Sequence, residues 1–228
     1  MKKILGMGNA LTDILLRIEN DEVLAKLNLP KGSMQLVDGG KSKEITTLLS
    51  EISPKMATGG SASNTINGIT RLGAAAGFVG KIGKDEVDEF FRNDMLNNGV
   101  VPHLLYSETP SGQCTVLVST DGERTLCTFL GAACELDAKD LTPEMFVGFD
   151  IFHIEGYLVQ NHELIRTAVK MAKEAGLQVS VDLASYNVVE ENLNFLNEII
   201  RDYIDIVFAN EEEARAFARC EPLEALEV

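Results

Sequence analysis

Two short polar stretches hold the residues whose types and spacing could do chemistry. Asn9 and Asp13 follow residues 3–8 (KILGMG), which read as a short buried strand ending in a glycine turn. A carboxylate and an amide just past the C-terminal end of a strand can bind paired hydroxyls such as those of a ribose. The second stretch is Thr58-Gly59-Gly60-Ser61-Ala62-Ser63-Asn64. Two glycines ahead of a helix let backbone approach a ligand closely, and the helix start offers free N–H groups. Asn64, in the first turn, can point back at the same ligand. Both stretches also admit plainer readings, since Asn and Asp are turn formers and a Gly-Gly turn with a serine cap is ordinary. Gly6-Met7-Gly8 lacks the third glycine of a dinucleotide fingerprint, Leu11 standing in its place, so that chemistry is rejected.

The elements that must position these residues fall into two textures. Strands are predicted at 150–155, 178–182 and 204–208, with helices at 161–175 and 189–202 between them. Such alternation implies a parallel sheet covered on both faces. Earlier in the chain, helices are predicted at 21–28, 41–52 (with Ser42 as N-cap), 62–72 and 84–98. Asp121-Gly122 is a hairpin signal inside a β-rich block at 101–107, 113–119 and 124–130. The expected fold is therefore α/β: a Rossmann-like parallel sheet with helices on both faces. Strands from about 12–18, 33–37 and 101–130 are expected to form a small β-sheet lid standing off that body. The whole of 1–228 is read as one such domain, incomplete at its C-terminus.

Composition narrows the partners. Of 228 residues 45% are hydrophobic, enough for a core, and 35 Asp and Glu outweigh 20 Lys and Arg for a formal net charge of -15. That surface repels nucleic acid and anionic membranes, so neither is an expected partner. Small anions are another matter, because backbone N–H groups and a metal ion supply local positive field. Four scattered cysteines, Cys114, Cys127, Cys134 and Cys220, show no zinc or disulfide spacing and fit reduced thiols. No signal-peptide core follows Met1, and no apolar run is long enough to cross a bilayer, so a cytoplasmic protein is expected.

Taken together the motifs resemble those of the ribokinase-like (PfkB) family. Gly59, Gly60, Asn64, Gly73 and Gly83 stand in the register of that family's first signature, with Ile66 where a small residue is usual. Gly8-Asn9-Ala10-Leu11-Thr12-Asp13 is similar to its G-N-x-x-x-D opening, and Lys81-Ile82-Gly83-Lys84-Asp85 to its G-x-I-G-x-D segment. Ser33-Met34-Gln35-Leu36-Val37 sits where such enzymes place a lid strand, and Asn210-Glu211-Glu212-Glu213 matches N-x-x-E. The resemblance implies an ATP- and Mg²⁺-dependent kinase acting on a hydroxymethyl group of a sugar or nucleoside. Asn9, Asp13, Gly59, Gly60, Ser61 and Asn64 would then hold the acceptor. Glu155 is a further candidate for that pocket, with an exposed strand-end glutamate as the plainer reading. Asn210 and Glu213 would organise Mg²⁺ and phosphate through water, with no direct metal ligand expected. Asp182, ending another strand, is placed near the phosphate region.

The family's catalytic base, an Asp in G-A-G-D, has no counterpart in these residues, so no catalytic residue is assigned and the base is expected beyond Val228. A fragment covering the N-terminal two-thirds of a kinase, inactive alone, is one reading; a sugar- or nucleoside-binding regulatory protein is the other. Ser61, where ribokinases carry Lys, is similar to adenosine kinases, and Met34, Leu36, Phe129 and Tyr157 could line a slot for a base. Adenosine-like and simple-sugar acceptors both stay open. Exposed strand edges suggest self-association, with a homodimer through the lid strands as one form.

Overall fold

A computed structural model describes residues 2–227. Val228, past which the catalytic base is expected, lies outside the described residues, as does Met1. In chain order the elements are β1 (Ile4–Met7), β2 (Leu11–Arg17), α1 (Glu22–Lys26), β3 (Met34–Leu36), α2 (Gly39–Leu48) and β4 (Lys55–Gly59). Next come α3 (Ser61–Arg71), β5 (Ala76–Ile82), α4 (Glu86–Asn97), β6 (Val100–Tyr106), β7 (Gly112–Val118) and β8 (Arg124–Phe129). After three short 3-10 helices follow β9 (Ile151–Glu155), α5 (His162–Glu174), β10 (Gln178–Asp182), α6 (Tyr186–Tyr203), β11 (Ile206–Phe208) and α7 (Glu211–Ala218).

Six strands form a parallel sheet in the order β11-β10-β9-β1-β5-β6, and five form a smaller mixed sheet, β3-β8-β7-β2-β4. Alternation along the large sheet divides its side chains between two cores. Leu5, Met7, Phe152, Ile154, Val179 and Val181 pack with α5 and α6 on one face. Phe78, Ile66, Phe91 and Met95 pack on the other, beneath α3 and α4. A third core, with Leu16, Leu117 and Cys127, joins the small sheet to Leu24 of α1 and Ile45 of α2.

Gly6 has a packing role. A Cβ there would lie 2.5 Å from Ile66 Cγ1. The missing side chain lets α3 lie close on β1, and Ile66 fills the space above it.

Several expected boundaries move. Residues 101–107 do not join the small sheet: β6 is the edge of the large one, parallel to β5. The β5–α4–β6 crossover places it there, and Pro102, which has no N–H to donate, is tolerated on such an edge. The small sheet instead gains β4, which pairs antiparallel with β2. Asp38, not Ser42, caps α2, its carboxylate accepting from Lys41 N at 2.8 Å. Ser42 lies in the helix and accepts from Gln113 Nε2 at 2.6 Å. The helix predicted at 189–202 begins at Tyr186, capped by Ser185, and carries a kink at Asn192.

The chain passes between the two sheets four times. Two passages, Gly8-Asn9-Ala10 from β1 to β2 and Gly60 from β4 into α3, contain the polar stretches described above. The other two, residues 107–111 and the start of 130–150, are fastened to each other: Ala132 N donates to Pro110 O at 2.8 Å, and the Ser107 and Thr109 hydroxyls bond Glu135. Among the described residues no helix is long and apolar enough to cross a membrane.

Candidate active site

The strand ends β1 and β9 lie side by side in register, Met7 beside Ile154, which brings Asn9 to Glu155. Asn9 Nδ2 donates to Glu155 Oε1 at 2.7 Å, and Ala62 N, at the start of α3, donates to Oε2 at 3.1 Å. Glu155 is only 2% exposed and Asn9 6%. The exposed strand-end reading of Glu155 therefore fails: α3 rests on Gly8, where a Cβ would lie 2.5 Å from Glu155 Oε2, and buries the carboxylate. Burial pushes this carboxyl above the usual range, against the pull of its hydrogen bonds from Ala62 and Asn9.

Asp13 is half-buried on β2. Its strand partner is Ala57, and neighbouring Leu11 pairs with Gly59. A Cβ on Gly59 would run into the Asp13 carboxylate, so glycine is what lets the two approach. Burial raises the Asp13 pKa as well. The carboxylate receives no hydrogen bond from the described residues. Gly60 has φ of 89°, in the left-handed region, and a Cβ there would run into Asn9 O. Ser63 Oγ donates to the carbonyl side of this turn, bonding Gly59 O and Gly60 O. Asn64 is exposed in the first turn of α3.

Ser61 Oγ donates to Asp182 Oδ2 at 3.0 Å, tying the start of α3 to the end of β10. Asn9, Asp13, Gly59, Gly60, Ser61, Asn64, Glu155 and Asp182 thus converge on one region, at the N-terminus of α3 and the C-terminal ends of β1, β9 and β10. Asn210 and Glu213 lie one strand further on, past β11, and form a capping box. Asn210 Oδ1 accepts from Glu212 N and Glu213 N, while Glu213 accepts from Asn210 N at 2.9 Å and Nδ2 at 2.7 Å. Glu213 is buried by this cap. The described residues contain no group of three or more His, Cys, Asp or Glu side chains able to hold a metal directly. The general base expected beyond Val228 is outside the described residues, and none of the residues gathered here is assigned its role.

Tyr157 stands among these carboxylates. Burial, then the charges of Glu155, Asp182 and Glu213, raise its phenol pKa. Met34 and Leu36 are exposed on β3, an edge of the small sheet. Phe129 does not join them. It pairs with Gln113, whose amide reaches Ser42 of α2, and its ring packs 3.6 Å from where a Gly39 Cβ would stand. The Asn9–Glu155 link, spanning 146 residues, was not legible in spacing; the one signal was an acid ending a mostly apolar strand.

Fold and geometry together define an α/β protein whose candidate site residues gather where a parallel sheet, a smaller sheet and one helix N-terminus meet. The chain belongs to the pfkB family of carbohydrate kinases, whose match covers residues 41–226. It is 29% identical over 225 residues to adenosine kinase 2 of Arabidopsis thaliana, covering 95% of this chain and 64% of the relative. The structure is similar to that of adenosine kinase from Sinorhizobium meliloti, with TM-score 0.81 and 31% identity over 99% of this chain and 70% of that one. It is equally similar to a probable sugar kinase from Rhizobium etli CFN 42, with TM-score 0.82, 29% identity and the same coverages. The chain thus spans 64% of the length of its Arabidopsis relative.

Proposed function

We propose that this chain forms the acceptor-binding part of an ATP-dependent kinase that phosphorylates a hydroxymethyl group of a nucleoside, with a simple sugar as the alternative acceptor. The observation that carries the reading is Asp13: a partly buried carboxylate without a partner among the described residues, held against Gly59, the first glycine of the turn that leads into α3 and Asn64. A desolvated carboxylate in such a place gains most from hydroxyl donors, which supply the hydrogen bonds it lacks. Similarity to two adenosine kinases favours the nucleoside.

In this reading Asp13 and Asn64 orient the acceptor. Asn9 and Glu155 act behind them, fixing the β1–β2 passage against the start of α3. The N–H groups at that helix start favour negative charge nearby. ATP bound with Mg²⁺ supplies the phosphoryl group and neutralises its charge. Glu213, held by Asn210, would meet the ion through water, and the small sheet would exclude bulk water from the acceptor. The G-A-G-D sequence of the family's base is absent from these residues, so the binding-protein reading stands as the second one.

Two measurements on the chain test this: calorimetric titration with adenosine, ribose and fructose, and ADP release with Mg²⁺-ATP and the same compounds. Binding of adenosine that is lost in Asp13→Asn is the expected result. Binding without ADP release fits both readings for this chain; binding of none of the three overturns both.

A further inference from the structure

Behind the acceptor-binding face lies a buried polar cluster that the proposed chemistry does not use. Strand alternation turns Thr12 and Thr58 away from Asp13 and Gly59, and the two threonines are paired in register on β2 and β4. Thr58 Oγ1 donates to Asp94 Oδ2 of α4 at 2.6 Å and accepts from Asn67 Nδ2 of α3 at 2.8 Å. Asn98 Nδ2 donates to the same Asp94 oxygen at 3.3 Å and to Asp94 O at 2.9 Å. The order Asn67 to Thr58 to Asp94 is fixed by chemistry. A carboxylate can only accept, so the threonine hydroxyl gives it its proton and offers a lone pair to the amide.

The cluster is retained at a cost. Thr12 Oγ1 and Asn67 Oδ1 are buried with no hydrogen-bond partner among the described residues. Apolar side chains of similar shape would avoid that loss. Polar groups kept in a core against local advantage mark places where geometry is being specified. Three of its members sit beside residues proposed to face the acceptor: Thr12 next to Asp13, Thr58 next to Gly59, and Asn67 one turn along α3 from Asn64.

We infer that Thr58, through its hydrogen bonds to Asp94 and Asn67, is a positioning residue that sets the Gly59–Gly60 turn relative to α3 and α4, and so sets the affinity of the acceptor site. This inference rests on the function proposed above. Its mechanism is mechanical: the Thr58 hydroxyl is clamped from two helices, which fixes the last residues of β4 and the carbonyls that Ser63 grips from the other side.

Backbone amide hydrogen exchange and adenosine calorimetry on the 228-residue chain test it, using Thr58→Val, which keeps shape and loses the hydroxyl, and Thr58→Ser, which restores it. In Thr58→Val, the amides of Ala62 and Asn64, which donate to Glu155 Oε2 and Gly60 O at this turn, are expected to exchange about tenfold faster while those of β5 keep the parent rate, with adenosine affinity falling about tenfold. Thr58→Ser is expected to recover both. Equal acceleration in the turn and in β5 would show a general loss of stability and overturn the inference, as would unchanged exchange at the turn. Unchanged affinity in Thr58→Val, where the parent binds adenosine, would overturn it too. A parent chain that binds no acceptor would instead sink the proposed function, and the exchange rates alone would then decide the role of Thr58.

Discussion

The side-chain amide of Asn9 donates to the carboxylate of Glu155 at 2.7 Å, joining the first passage between the sheets to the end of β9. Ala62 N completes the junction from the start of α3. Three elements that meet nowhere else in sequence are held by one buried acid.

That acid gives stability a definite dependence on pH. Burial raises the Glu155 pKa above the ordinary 4.5, so the folded chain holds this proton more tightly than the unfolded one. Its contribution is present below the unfolded value and is lost as pH rises through the folded value. Melting temperatures across about pH 4 to 8 are expected to show this loss, and Glu155→Gln to flatten it. An unchanged slope in the variant would assign the pH dependence to other groups.

Asp13 is expected to trade stability for binding. Its carboxyl is also raised by burial, so Asp13→Asn removes a desolvated charge and is expected to melt no lower than the parent at neutral pH. Acceptor affinity should fall about 10- to 100-fold, the effect of losing hydrogen bonds to a charged group. A variant that binds adenosine as well as the parent would remove Asp13 from the site.

The two glycines of the turn are expected to fail differently. Gly60→Ala must hold a side chain at φ of 89° against Asn9 O, and should destabilise the chain by about 1–3 kcal/mol in denaturant titration. Gly59→Ala meets the Asp13 carboxylate, which can swing aside, so it should weaken binding with a smaller loss of stability. Equal stability losses in the two variants would contradict this division.

Much of the body was legible because its signals are local. Strands and helices of ordinary length alternate from residue 151 to 208, and that pattern has few architectures. The small sheet was harder. Lys55-Met56-Ala57-Thr58-Gly59 contains little that favours a strand, and it pairs only because β2 lies beside it. Residues 101–107 carry strand character that suits either sheet, and the α4 crossover decides between them. Within the site, the types of Asp13 and Asn64 marked them as candidates for binding hydroxyls, whereas the burial of Glu155 depends on how closely α3 rests on Gly8.

An open edge bears on handling. β11 ends the large sheet with Ile206, Val207 and Phe208 all exposed. Unpaired backbone beside apolar side chains favours edge-to-edge pairing. Light scattering over a range of concentrations is expected to show self-association that Val207→Lys reduces; a parent that stays monomeric throughout would contradict this.

The passages between the sheets have a thermodynamic consequence. Two are riveted together through Glu135 and Pro110, while the other two run through Asn9 and Gly60. Any swing of the small sheet about the riveted pair must be absorbed in the backbone torsions of Asn9 and Gly60 themselves. An acceptor bound where we propose would therefore be coupled to the angle between the sheets. Such coupling would need no relay of intervening side chains.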